Sequence, residues 1–299
     1  LRKKELVYLL NDIDWVEKNP LLDTLLTQNV SLTVHPMTQG MEAEVIKLCS
    51  EEDSFILKVW NKVSKPNIEF QYQLLSSLYE QGLAVSQPLG WGRTFSVQRE
   101  QVLLTYDDGG ELQNYSEQKM KDIAATLYQI HQVDVEKIRP LELPKYDFIR
   151  YFFPDLEKHP DLLQAVTELS SQIEIRQDQL IHGDFHLNNL VEKDGRITVI
   201  DWTNGQLGDA RYDFAWSLFL KRIYMPSALA EIFSTAYLSL NDIQQEEMYP
   251  FEAFACLRWI LLHRYAAVPN GSDLLGKAKA IAAHNPYLKD VDIQEQVGS

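Results

Sequence analysis

Residues 182–201 join a polar loop to a tight hairpin. His182-Gly183-Asp184-Phe185-His186-Leu187-Asn188-Asn189 lies between the apolar pairs Leu180-Ile181 and Leu190-Val191. Asp194-Gly195 then separates Leu190-Val191 from the apolar run at 197–200. That is a strong hairpin signal, because both turn residues tolerate positive φ. The returning strand ends on Ile200-Asp201-Trp202. An Asp and an Asn on a loop entering a hairpin, with a second Asp at its far end, can be brought together by the return of the chain. Three oxygen donors from different strand ends suit Mg²⁺, a hard cation that takes few protein ligands and keeps water or phosphate oxygens. Taken alone, His-Gly-Asp reads as a polar turn and Asp-Gly as an ordinary hairpin; the spacing of the whole pattern carries the specificity.

Upstream, residues 30–59 alternate apolar and polar positions as an antiparallel meander with one solvated face. Three strands are expected, at 31–34, 44–49 and 54–60. Pro66-Asn67 offers a helix start, Phe70, Leu74, Leu75 and Leu78 recur at helical spacing, and Gly82 is a stop. Val97 and residues 102–106 look like the outer pieces of a further hairpin. Gly109-Gly110 marks a flexible connection, so the chain reads as an N-terminal extension with a sheet-rich lobe, 1–106, and a larger, mainly helical lobe, 107–299. Helical patterns follow at 117–131, 162–175, 212–222, 228–238, 251–265 and 275–283. Little regular structure is expected at 134–160, and the first 29 residues hold too few independent clues to assign a role.

Composition narrows the class. The 299 residues are 45% hydrophobic and hold no apolar run long enough to span a membrane. Leu1-Arg2-Lys3-Lys4-Glu5 is not followed by the apolar core and cleavage site of a secretory signal. Cys49 and Cys256 are too few for a disulfide framework and read as small apolar residues in a reducing, cytoplasmic setting. A net charge of -15 argues against nucleic-acid binding and is compatible with a cationic small substrate.

The 182–201 segment resembles the catalytic loop and metal-binding Asp of the aminoglycoside phosphotransferase and choline kinase group, distant relatives of the protein kinases. In the kinase pattern a catalytic Asp precedes a metal-binding Asn by five positions, as Asp184 precedes Asn189. Asp201 takes the place of the metal-binding Asp, with Trp202-Thr203 where protein kinases carry Phe-Gly. Gly208-Asp209-Ala210-Arg211-Tyr212-Asp213 also resembles the group. The resemblance implies a bilobal, protein-kinase-like α+β fold and transfer of the γ-phosphoryl group of ATP to an acceptor hydroxyl. Asp184 would orient that hydroxyl, Asn189 and Asp201 would hold Mg²⁺, and His182 joins the catalytic set as a brace of the loop. Asp209 and Asp213 would hold loops and cap the following helix.

The same resemblance assigns Lys58, inside the apolar run 55–60, to the nucleotide phosphates. Gly40, in Gln39-Gly40-Met41-Glu42, falls at the nucleotide loop, which lacks the multi-glycine pattern. Glu69 is taken as the partner of Lys58 because it supplies the opposite charge, although family register also offers Gln71. Leu104 and Tyr106 lie in the segment joining the lobes, where backbone and apolar side chains would meet adenine; Asp107 and Asp108 read as solvent-facing. For the acceptor pocket the candidates are Asp155, Glu157, Trp202, Arg258, Trp259 and His263. An aminoglycoside-like compound is the first expectation, ahead of choline, a sugar, a macrolide or a hydroxylated amino acid. A protein kinase, or a nucleotide-binding protein without activity, fits less well. The compact chain after Asp201 leaves little room for a peptide groove, and Lys58, Asp184, Asn189 and Asp201 are all retained.

Overall fold

The computed structural model describes residues 10–28, 30–37, 43–60, 66–95, 99–138, 141–269 and 273–291. Gly40 and Val97 lie outside them. The chain forms two compact units, and neither is contiguous. The first takes 1–111, 137–141 and 190–203; the second takes 112–136, 142–189 and 204–299. The sequence places a single break after Tyr106. The chain instead divides after Glu111, and the 190–203 segment returns to the first unit.

The first unit opens with β1 (Ile13–Lys18) and α1 (Pro20–Thr27), followed by β2 (Thr33–Pro36), β3 (Glu44–Cys49) and β4 (Ser54–Trp60). Next come α2 (Ile68–Glu80), β5 (Pro88–Thr94), β6 (Gln101–Tyr106) and the two-residue β7 (Gly110–Glu111). Six strands build an antiparallel sheet in the order β1-β5-β6-β4-β3-β2. Alternation sorts its faces. Phe55, Leu57 and Val59 point into a core with Ile46, Leu48, Val102, Leu104 and Leu22 of α1. Lys58 is half-buried on the opposite face, cross-strand from Leu103, which in turn pairs with Trp91. That is the face of α2, because the Trp91 indole and Gln73 of α2 both donate to Glu17 Oε1. Asn67 caps α2 by accepting from the Phe70 amide.

The second unit begins with α3 (Glu117–His131), α4 (Phe148–Phe152), α5 (Pro160–Ser170) and β8 (Gln179–Ile181). β9 (Leu190–Lys193) and β10 (Arg196–Val199) form the hairpin of the first unit, where β7 pairs with β9, so the connection at Gly109-Gly110 is paired rather than loose. Asp194 and Gly195 at its turn have φ of 52° and 80°, as a type I′ turn requires. β11 (Gln206–Gly208) pairs with β8, and α6 (Ala210–Tyr224), α7 (Ser227–Leu240), α8 (Gln245–Arg264) and α9 (Leu274–His284) complete the second unit. α6 and α8 are buried on nearly every side and pack together. Cys256 lies inside α8, its thiol pushed up to about 12 by burial and therefore inert; Cys49 is half-buried.

A lysine sits inside this helical core. Lys221 of α6 is 2% exposed, donates to Ser217 Oγ at 2.8 Å and lies 4.0 Å above the Phe233 ring. Burial pulls its ammonium down to about 7. Between that value and about 10 the unfolded chain holds a proton that the folded chain does not, so stability rises with pH across the window. Lys221→Met is expected to stabilise the protein by roughly 2–4 kcal/mol at neutral pH. The gain should shrink as pH approaches about 10, where the unfolded lysine also loses its proton. Urea unfolding of both proteins at pH 6, 7 and 9 reads this; an equal gain at every pH would exclude the buried ammonium as its origin.

Candidate active site

The polar loop after β8 is held from beneath by one buried carboxylate. Asp213, in the first turn of α6, accepts the His182 amide on Oδ2 and the Gly183 amide on Oδ1, both at 2.9 Å. His131 at the end of α3 reaches the same carboxylate at 3.1 Å, and its other ring nitrogen meets the Tyr237 hydroxyl at 2.6 Å. Burial alone would raise the Asp213 carboxyl; the bond from His131 and the charges of His131 and His182 outweigh it and hold it below its usual value. Gly183 has φ +78°, and a Cβ there would stand 2.8 Å from the Asn204 carbonyl, so only glycine fits under this loop.

His182 is fully buried and its Nδ1 accepts the Asp184 amide at 3.3 Å. It positions the loop and presents no surface to a substrate. The Asp184 carbonyl accepts the His186 amide at 2.9 Å and the Asn189 Nδ2 at 3.0 Å. The Asn189 side chain is thereby oriented, with Oδ1 as its remaining oxygen.

The two carboxylate oxygens of Asp184 have different surroundings. Trp216 of α6 donates its indole N–H to Oδ1 at 2.9 Å, whereas Oδ2 lies 3.5 Å from His186 Nε2. Arg258 of α8 stacks over the Trp216 ring at 4.0 Å and donates to the Gly183 carbonyl at 3.2 Å. Burial pushes the Asp184 carboxyl up, but the His186 bond, the Arg258 charge and the Trp216 indole together hold it far below the carboxylate range. Asp184 is therefore ionised at neutral pH. Asp213 thus holds the loop, as expected of the Asp209–Asp213 run; nothing in the sequence marks Trp216 as a carboxylate partner. Asp209 does cap α6, accepting from the Arg211 amide at 3.0 Å.

Asn189 immediately precedes β9, and Asp201 follows β10 by two residues. Asp201 has φ 63°, a left-handed backbone rare outside glycine, and its Oδ1 accepts the Thr203 hydroxyl at 2.6 Å.

In the first unit, Glu69 is exposed in the opening turn of α2, and no ion pair joins it to Lys58 among the described residues; Gln71, two positions on, is 4% exposed. Leu104 is fully buried in the sheet core, and its strand is paired to β4 on one side and β5 on the other. Its backbone and side chain thus serve the sheet, which leaves neither for adenine. The Tyr106 hydroxyl donates to Asp53, a bond that pushes it up to about 12. Asp107 is not solvent-facing: it is 2% exposed, pairs with Lys47 and accepts the Ser54 hydroxyl at 2.7 Å. Asp108 is half-buried.

Of the acceptor-pocket candidates, Trp202 and Trp259 are core residues, 1% and 0% exposed. Asp155 pairs with Lys158 at 3.0 Å on an outer turn. Glu157 lies exposed in the same turn, and His263 stacks on Trp259. Of the six, Arg258 reaches the Asp184 loop, through the Gly183 carbonyl.

Solved structures share this architecture at low identity. Amicoumacin kinase hAmiN, in complex with AMP-PNP, Ca²⁺ and Ami, is 18% identical over 90% of this chain and 95% of its own, with a TM-score of 0.65. A thermostable aminoglycoside phosphotransferase APH(4)-Ia, with ADP and hygromycin B, is 19% identical over 86% and 96%, with a TM-score of 0.61. Spectinomycin phosphotransferase APH(9)-Ia, with ADP and spectinomycin, is 15% identical over 94% and 96%, with a TM-score of 0.56. The fold is therefore the protein-kinase-like α+β fold of these enzymes. A sequence model of the phosphotransferase enzyme family matches residues 33–251, and the chain belongs to that family. Comparison with curated proteins finds no sequence match.

Proposed function

We propose that the protein transfers the γ-phosphoryl group of ATP to a hydroxyl of a small molecule. The environment of Asp184 carries this reading: an ionised carboxylate fixed through Oδ1 by Trp216, with Oδ2 left toward His186 for an incoming hydroxyl. A carboxyl held so low is a weak base. In a loose transition state proton transfer comes late, so its chief work is to orient the hydroxyl and receive the proton as the new phosphate bond forms. Solved variants of the aminoglycoside phosphotransferase APH(4)-Ia replace an aspartate and two consecutive asparagines four and five positions after it. That is the spacing of Asp184, Asn188 and Asn189.

Asn189 and Asp201 would hold Mg²⁺. The donor set fits a hard cation: Asn189 keeps Oδ1 after donating its amide to the Asp184 carbonyl, and Asp201 supplies a carboxylate. When bound, the cation offsets charge on the phosphate oxygens. Lys58 would meet the phosphates from the α2 face of the sheet. Gly40 and Tyr106 stay assigned to the nucleotide by resemblance, and Glu69 is the weaker partner for Lys58 because Gln71 is the buried neighbour on α2.

For the acceptor, the neighbours' complexes with hygromycin B and spectinomycin favour an aminoglycoside-like compound. Arg258 favours a second reading, a hydroxylated acid such as a hydroxylated amino acid. A screen with Mg²⁺ and ATP across aminoglycosides, macrolides, choline, sugars and hydroxylated amino acids, read by product mass, tests the proposal. A gain of one phosphoryl mass on any acceptor supports it. Retention of ATP with every acceptor class would sink it.

A further inference from the structure

The Arg258 guanidinium is built as a receptor rather than a simple brace. It lies over the Trp216 ring at 4.0 Å and the Phe152 ring at 4.7 Å, contacts that restrict its freedom before any ligand arrives. Nη1 does the structural work, donating to the Gly183 carbonyl at 3.2 Å and the Tyr212 hydroxyl at 3.3 Å. Among the described residues nothing accepts from Nε or Nη2, and Arg258 is only half-buried. Those two nitrogens form the side-on edge of the guanidinium, whose parallel N–H bonds match the two oxygens of a carboxylate. The edge belongs to a cation joined to Asp184 through Trp216, which touches both.

Arg258 is the cation beside the catalytic loop, and it has donors to spare.

We infer that Arg258 binds a carboxylate of the acceptor, so that the substrate is a small hydroxylated acid whose hydroxyl lies at Asp184. This rests on the phosphotransferase reading above. Arg258 would also offset the repulsion between the acceptor's carboxylate and Asp184.

The test uses the full-length protein and matched probes: a panel of hydroxylated carboxylic acids, hydroxylated amino acids included, each beside its carboxamide. Binding is read by ligand-observed NMR without nucleotide, and phosphoryl transfer by product mass with Mg²⁺ and ATP. At least one acid should bind about 10–100-fold more tightly than its amide. Arg258→Lys keeps the charge and the stem but lacks the planar fork, and should reduce that preference to within about threefold. A matching thermal midpoint would show that the variant is folded. Equal binding of acid and amide, no binding of any acid, or full preference retained in Arg258→Lys would each overturn the inference. If acids bind through Arg258 but no product carries phosphate, the inference stands and the phosphotransferase reading fails. If only amines or neutral acceptors are phosphorylated, the reverse holds.

Discussion

Asp184→Asn is expected to slow phosphoryl transfer by about 10²–10⁴-fold. The amide keeps the shape of the carboxylate and can still accept the Trp216 indole N–H through its oxygen. It can neither carry the negative charge that aligns a hydroxyl nor take its proton. The loop itself should survive, because its anchors are backbone groups: the His182 and Gly183 amides on Asp213, and the Asp184 carbonyl that receives Asn189. Single-turnover product formation separates the chemical step from acceptor binding. A variant that turns over within threefold of the parent would remove Asp184 from the mechanism.

The second large effect concerns stability. Asp213→Ala should destabilise the second unit by about 3–5 kcal/mol, because two loop amides and His131 lose a shared buried acceptor at once. Activity should fall with it, since the loop that carries Asp184 rests on those bonds. The contribution is pH-dependent with a definite sign. The folded carboxyl lies below its unfolded value, so its stabilisation is complete above about pH 4 and is lost as pH falls through the folded value. Urea midpoints followed downward from pH 7 should therefore draw together for parent and variant as pH falls through the folded value. Parallel curves would show that Asp213 does not act through its charge.

The sequence and the structure agree where local pattern decides geometry. The helix at 117–131 is observed at those limits, with Ser116 as its cap, and the Asp194-Gly195 hairpin has the turn its residues demand. β5 was hidden because Pro88, Gly90 and Gly92 give it little strand propensity. Gly92 is there for a tertiary reason: a Cβ would stand 2.4 Å from the Asp14 carbonyl of β1. β1 is hidden because apolar Val16 faces outward and Glu17 inward, so its apolar residues do not alternate although its burial does. At the site, motif spacing singles out Asp184, Asn189 and Asp201, residues whose spacing is fixed along the chain. Trp216 and Arg258 come from helices 32 and 74 positions beyond Asp184, each inside an apolar pattern that gives an indole or a guanidinium no mark of its own. Such residues become visible only when their helices pack together.

The return of the 190–203 hairpin to the first unit has a consequence for how the chain is made. During synthesis β7 waits without its partner until β9 has left the ribosome, and the first unit is complete only once about two thirds of the chain exists. Cutting the gene after residue 111 would therefore not yield two self-sufficient halves. The N-terminal fragment would lack its hairpin, and the C-terminal fragment would carry that hairpin without the strand it pairs with.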